Sequence, residues 1–257
     1  MKTLILILLS FIAINLAFAQ DAQNSSESWI PNLKNPFVKK EIPQYDRFLL
    51  RGGFSFTTIE MRSDKLIDKS DPDDDSEDET RTFGLGLNSS VAYRWRKWEF
   101  SIASDFIVGP VRETSFIHNQ SAINGKGHFR LISIGPQFKY HLDYTLFDRA
   151  NFYIGFGPIW SLQTYVFTKS EATGDFNNKK RISFENYGAS FLIGLEEFKP
   201  KVLDHPMFIE FGYNYMYSYK VSILDATNAV DVITLSEGDS NDFSAHYFII
   251  RVGIAIF

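Results

Sequence analysis

The chain has 257 residues, 44% hydrophobic and 22% charged, with a formal net charge of -5 and no cysteine. The missing cysteine excludes disulfide scaffolds, thiolate metal sites, cysteine nucleophiles and a lipidated N-terminal cysteine. The acidic balance, with no Lys/Arg run interleaved with aromatics, leaves no field to hold a phosphate backbone, so no nucleic-acid partner is expected.

Lys2 supplies a basic start, Leu4 to Leu16 an apolar stretch, and Ala17, Phe18 and Ala19 a small-residue cleavage motif, so residues 1–19 read as a signal peptide. Residues 20–45 are polar with Pro31, Pro36 and Pro43 and read as a flexible periplasmic leader, with Trp29-Ile30 and Phe37-Val38 as its apolar spots. Past Gln20 no run approaches the ~18 uninterrupted apolar residues of a spanning helix. A membrane role would need strands.

From Phe48 onward large apolar residues recur at every second position, which is strand periodicity. Eight segments follow. Phe48, Leu50, Phe54 and Phe56 oppose Arg47, Arg51, Ser55 and Thr57; Phe83, Leu85, Leu87, Val91, Tyr93 and Trp95 oppose Gly84, Gly86, Asn88, Ser90 and Arg94. After an Arg96-Lys97 turn, Trp98, Phe100, Ile102, Phe106 and Val108 oppose Glu99, Ser101, Ala103 and Asp105. Ile132, Ile134, Phe138, Tyr140 and Leu142 oppose Ser133, Gly135, Gln137, Lys139 and His141; Phe152, Ile154, Phe156, Trp160 and Leu162 oppose Gly155, Gly157, Ser161 and Gln163. Tyr187, Ala189, Phe191, Ile193 and Leu195 oppose Gly188, Ser190, Gly194 and Glu196, and a tyrosine row from Tyr213 to Tyr219 opposes Glu210, Gly212, Asn214 and Ser218. Last, Phe248, Ile250, Val252, Ile254 and Ile256 oppose Arg251, Gly253 and Ala255.

Connectors alternate: long after Met61, Pro110, Phe167 and Lys220, short at Arg96, near Asp143 and near Lys199. Long loops on one side and short turns on the other are the pattern of an outer-membrane barrel. The expected fold over residues 46–257 is all-β, an eight-stranded antiparallel transmembrane barrel with periplasmic termini and four long extracellular loops, in the outer membrane of a Gram-negative bacterium. A secreted sandwich or lipocalin-like barrel would point the aromatics inward and overfill a small lumen, whereas the opposite face is small and polar enough to fit.

These features together resemble the outer-membrane β-barrel families of Bacteroidota, including the PorT-like group: a signal peptide ending in Ala19-Gln20, a short leader, repeated steps such as Gly135-Pro136 and Gly157-Pro158, and the terminal aromatic Phe257. The resemblance implies Phe257 as an assembly signal read by the barrel-assembly machinery, and an accessory role in type IX secretion or gliding machinery. Phe257 departs from the pattern in falling in the Arg251 register.

Candidate functional residues follow from the inward face. Arg51, Arg94, Lys139 and Arg251 against Glu99, Asp105, Glu196 and Glu210 form a lumen charge cluster that nearly cancels, with His141 at the rim. Buried charges persist when paired, so an ion-pair plug is expected rather than a solute pathway, with a narrow porin-like channel as a lesser reading. Asp71, Asp73, Asp74, Asp75, Glu77, Asp78 and Glu79 make a carboxylate run that could collect divalent cations, but it lacks the glycine turn and spacing of an EF-hand. Ser244 and His246 share a strand face without a partner carboxylate, so no enzyme is expected, and no cofactor or resident metal. Expected partners are outer-membrane lipid and lipopolysaccharide, the barrel-assembly machinery, and a periplasmic or surface protein.

Overall fold

The structure, a computed structural model, describes residues 37–39, 46–62, 66–68, 79–118, 120–146, 150–174, 177, 179–198, 205–225, 233–234 and 243–256. In chain order the strands are β1 Phe37–Lys39, β2 Arg47–Arg62, β3 Leu66–Asp68, β4 Glu79–Trp95, β5 Trp98–His118, β6 Ser121–Leu146, β7 Ala150–Ala172, β8 Lys179–Phe198, β9 Met207–Asp225, β10 Ile233–Thr234 and β11 Ser244–Ile256. Eight are long, and each pairs antiparallel with its neighbour in the order β2, β4, β5, β6, β7, β8, β9, β11. The ring closes where β11 pairs with β2, Ser244 opposite Arg62 and Ile256 opposite Leu50. Among the described residues no helix is long and apolar enough to cross a membrane.

One row of aromatics gives the geometry. Phe48 pairs with Tyr93, Tyr93 with Phe100, Phe100 with Phe138 and Phe138 with Phe156. The row continues through Phe191, Tyr213 and Phe248 and returns to β2 at Thr58, ten residues beyond its start. A stagger of ten over eight strands, at ~3.3 Å rise and ~4.8 Å spacing, tilts the strands about 40° from the axis. The row is therefore a spiral climbing the wall, and adjoining rings touch, with centroids 5.0 Å apart for Phe48/Tyr93 and 5.2 Å for Phe100/Phe138.

The outward set is exposed or half-buried throughout, and fully exposed at Phe48, Phe54, Leu87, Val91, Trp98, Ile102, Phe156, Phe191, Ile193 and Phe248 among others. Water would penalise that much contiguous apolar surface heavily, whereas a bilayer takes it up. The band is interrupted by Arg, Lys and Glu only above and below, and with termini at the short-turn end the protein is an integral outer-membrane barrel.

Above the band the alternation keeps its period and exchanges its chemistry. On β2, Phe54 and Phe56 face out while Ser55 and Thr57 face in; two residues on, Thr58 and Glu60 face out while Ile59 and Met61 are buried. On β6, Ile134 and Ile132 give way to Arg130 and His128 outside, with Leu131 and Phe129 inside. The same exchange on β8 buries Phe184 and Ile182, and on β11 Tyr247 and Ile249. The barrel thus stands out of the membrane, and there it is built like a water-soluble one, polar outside and apolar inside.

This core changes two expected loops. β5 runs on from Pro110 to His118, which pairs with Ser121 at the start of β6, and β7 runs on from Phe167 to Ala172, because the inward residues Val111, Phe116, Ile123 and Phe129 have a core to enter. Gln120, just before β6, takes a φ of 67°. The connector after β2 also contributes β3, which pairs with β5 beyond the top of β4, Leu66 opposite Phe116. At the other end, within the expected flexible leader, Phe37–Lys39 pairs with Leu146 to Tyr144 of β6, and the Phe37 ring lies 5.6 Å from that of Phe152. The signal peptide and the rest of the leader lie outside the described residues.

Candidate functional site: the charged lumen

The lower lumen is lined by β-strand positions whose parity points inward, and all eight long strands contribute: Arg51 from β2, Arg94 from β4, Glu99 and Asp105 from β5, Lys139 and His141 from β6, Tyr153 from β7, Glu196 from β8, Glu210 from β9 and Arg251 from β11. All are buried. Four cations face four anions.

Glu99 and Glu196 form the lower tier. Arg51 donates to both oxygens of Glu99, at 2.6 and 2.8 Å, and to Glu196 Oε2 at 2.7 Å. Arg94 donates to Glu99 Oε2 at 3.0 Å and to Glu196 Oε1. His141 Nε2 lies 3.2 Å from Glu99 Oε2, and its Nδ1 lies 3.5 Å from Glu196 Oε1. The expected rim position of His141 is therefore corrected: the histidine is fully buried between two carboxylates. Below this tier Glu197 receives Arg47 and, at 2.6 Å, Asn151.

The upper tier is Glu210 and Asp105. Lys139 and Tyr153 donate to Glu210 Oε1 at 2.5 and 2.8 Å, and Arg251 to Oε2 at 3.1 Å. Arg251 grips Asp105 through Nε at 2.9 Å and Nη2 at 2.8 Å, while Ser55 and Ser133 donate to the same carboxylate at 2.8 and 3.0 Å. Every carboxylate oxygen of the four acids thus has a donor, the condition under which buried charges are tolerated. Two glycines make the space. A Cβ on Gly194 would stand 2.2 Å from the Tyr153 ring, and one on Gly155 would stand 3.0 Å from Lys139 Cγ.

Above Asp105 the lumen turns neutral and then apolar. Ser218 donates to Asn186 at 2.5 Å and Asn186 to Ser161 at 3.2 Å. Over them sits a closed cluster that includes Ile59, Met61, Phe116, Phe129, Tyr165, Phe167, Phe184 and Phe243. Tyr165 donates to the Met61 sulfur at 3.0 Å and accepts from Gln163 at 2.7 Å. An ion permeating this barrel would have to displace paired charges and then shed its water to enter a packed apolar core.

Glu99, His141 and Glu196 bring three ligand atoms within 4.8 Å of one another. The set does not suit a divalent cation, because Arg51 and Arg94 already occupy those oxygens and would stand against the ion.

Outside the barrel, Ser244 and His246 are half-buried on the outer face of β11, and His246 Nδ1 is 2.6 Å from the Tyr213 hydroxyl. Asp71, Asp73, Asp74, Asp75, Glu77, Asp78 and Phe257 lie outside the described residues, and Glu79 is the first residue of β4. Tyr153 and the apolar cluster are lumen residues that the sequence reading does not single out, and Ser55 and Ser133, which it places on the inward face, gain their role as donors to Asp105 only here.

No protein-family model and no curated protein sequence matches the chain. Solved structures similar in trace include the outer membrane protein OprG from Pseudomonas aeruginosa, with a TM-score of 0.45 at 13% identity over 85% of this chain and 97% of that one. Neisserial surface protein A gives 0.40 at 14% identity, covering 82% and 99%. The outer membrane protease OmpT from Escherichia coli gives 0.35 at 11% identity, covering 82% and 95%. These likenesses transfer no residue and no activity to this chain.

Proposed function

We propose that the protein is a non-enzymatic outer-membrane barrel with a closed lumen, whose role is structural or one of surface interaction. The observation that carries this reading is the double closure: an eight-charge network below, in which every carboxylate oxygen has a donor, and a packed apolar cluster above. The test is conductance of the full chain in planar bilayers. No current above the bare bilayer is expected, and steady ohmic steps would refute the reading and favour a narrow channel. A second reading, an accessory of type IX secretion or gliding machinery, draws on the PorT-like resemblance and is favoured by the Phe37–Lys39 strand, which pairs with the Tyr144–Leu146 end of β6. Purification of a tagged copy in mild detergent tests it: a stoichiometric secretion or motility subunit supports it, and a clean monomer counts against it.

A further inference from the structure

Two polar rows cross the inner wall on β6 to β9, four residues apart along each strand. The upper row is Ser133, Ser161, Asn186 and Ser218, each directly opposite the next. Its bonds are made: Ser218 donates to Asn186, Asn186 to Ser161, Ser161 to the Met216 sulfur at 3.3 Å and Ser133 to Asp105. The lower row starts on β5. Ser101 lies opposite Gln137, Gly157 opposite Ser190, Ser190 opposite Asn214 and Asn214 opposite Tyr247. Gln137 and Gly157 adjoin so closely that a Cβ on the glycine would stand 3.0 Å from Gln137 Cα.

Ser101, Gln137, Ser190 and Asn214 are all at most 3% exposed. Yet Ser101 Oγ, Gln137 Oε1, Ser190 Oγ and both amide atoms of Asn214 have no hydrogen-bond partner among the described residues. A buried polar group left unpaired carries the whole cost of its lost hydration, and protein interiors meet that cost with ordered water where no side chain does so. Five such atoms follow one row, beside a row of similar length whose bonds are made. Gly157 brings no side chain, so the lower row cannot close on itself between β6 and β8. Neighbouring positions on a row are ~4.5–5.5 Å apart, within the ~5.6 Å spanned by a molecule that bonds at ~2.8 Å on each side.

The chemistry of the row selects its occupant. Gln137 Oε1 accepts, the Asn214 amide both donates and accepts, and the serine hydroxyls do either, so the guest must give and take hydrogen bonds. The four cations and four acids of the lumen already cancel, so a bare ion would add a charge with nothing to offset it. Ion pairs close the lumen below and the apolar cluster closes it above, which leaves no passage for an organic solute. Water meets all three conditions. With about 3 Å of climb per strand, the row rises about 12 Å from Ser101 to Asn214.

We propose that the row from Ser101 to Asn214 binds a file of ordered water molecules inside the closed barrel, ending blind beneath the apolar cluster. The file consists of single molecules fixed on Gln137, Ser190 and Asn214, and it leaves Arg251 and Asp105 in direct contact. The inference rests on the closed-lumen reading, because an open pore would wet both rows alike.

The test is water-edited solid-state NMR of the isotope-labelled full chain in phosphatidylcholine bilayers, which reads how fast water polarisation reaches each assigned side-chain amide. Asn186 is the internal control, since it is equally buried and its amide is held by Ser161 and Ser218. Build-up at the Asn214 amide is expected to be at least threefold faster than at Asn186. Equally slow build-up at both would overturn the proposal and leave the closed lumen standing, whereas equally fast build-up at both would overturn the two together. The variant S190A removes one ligand beside Asn214 and is expected to slow build-up there at least twofold without changing Asn186. Unchanged build-up at Asn214 in that variant would also overturn the proposal.

Discussion

Arg251 and Asp105 offer the cleanest measurement of how dry the lumen is. Their side chains are 4% and 2% exposed, and the pair is held by two hydrogen bonds with a third from Arg251 to Glu210. Two unit charges ~4 Å apart attract by about 4 kcal/mol at an effective dielectric constant of ~20, against several kcal/mol of desolvation for each ion. Arg251→Met removes the cation and leaves Asp105 with only the hydroxyls of Ser55 and Ser133. The expected cost is about 3–5 kcal/mol, the range for stranding one member of a buried pair. Asp105→Leu alone strands the guanidinium against Glu210 and should cost a similar amount. The double variant buries no odd charge at this pair and should cost much less than the sum, with a coupling of at least about 2 kcal/mol. The assay is urea unfolding of vesicle-inserted protein, followed by tryptophan fluorescence and heat-modifiable migration in parallel. Additive single effects, with coupling near zero, would refute the reasoning, since they would mean that water screens these charges.

Other expectations separate the layers of the barrel. Phe156→Arg, in the middle of the lipid band, should cost about 2–4 kcal/mol in the same unfolding assay, while Thr164→Arg, on the same face of β7 above the boundary, should change stability by less than about 0.5 kcal/mol. Phe129→Ala should cost about 3–5 kcal/mol although it lies outside the bilayer, because its ring is fully buried among Tyr165 and its neighbours. Gly194→Val should displace Tyr153 from Glu210 and lower the unfolding midpoint, and adding Tyr153→Ala to it should recover part of the loss.

Strand number, antiparallel closure and the outward faces were legible because a strand shows its environment through parity alone. Phe48, Leu50, Phe54 and Phe56 could share a lipid-facing surface only if Arg51 and Ser55 pointed inward, and the register of β2 against β11 and β4 has that arrangement. The lumen cations and anions were legible on the same ground. What parity could not supply was the partner of each charge, since that depends on stagger: Arg51 meets Glu99 on β5 and Glu196 on β8, contacts set by ring closure. His141 looked like a rim residue because β6 was expected to end near it, yet the strand continues to Leu146 and carries the ring into the network.

The apolar upper core was missed for a more instructive reason. A single apolar parity was assumed along each strand, whereas the set shifts from even to odd positions on β2 between Phe56 and Ile59, and on β6 Phe129 and Leu131 oppose the phase of Ile132 and Ile134. Those shifts mark the height at which lipid gives way to water outside and ions give way to hydrocarbon inside. On β9 the same reset is made by a register shift, with Asn186 opposite Ser218 and Glu185 opposite Lys220.

The absence of native cysteine permits the most direct test, a single-cysteine scan along β6 in intact outer membranes with a membrane-impermeant thiol reagent. Cysteines at His128 and Arg130 should label rapidly, those at Ile132 and Ile134 should be shielded by lipid, and those at Phe129 and Leu131 should resist labelling although they stand above the bilayer. Rapid labelling at Phe129 and Leu131 would mean an open, water-filled mouth and would contradict the closed barrel.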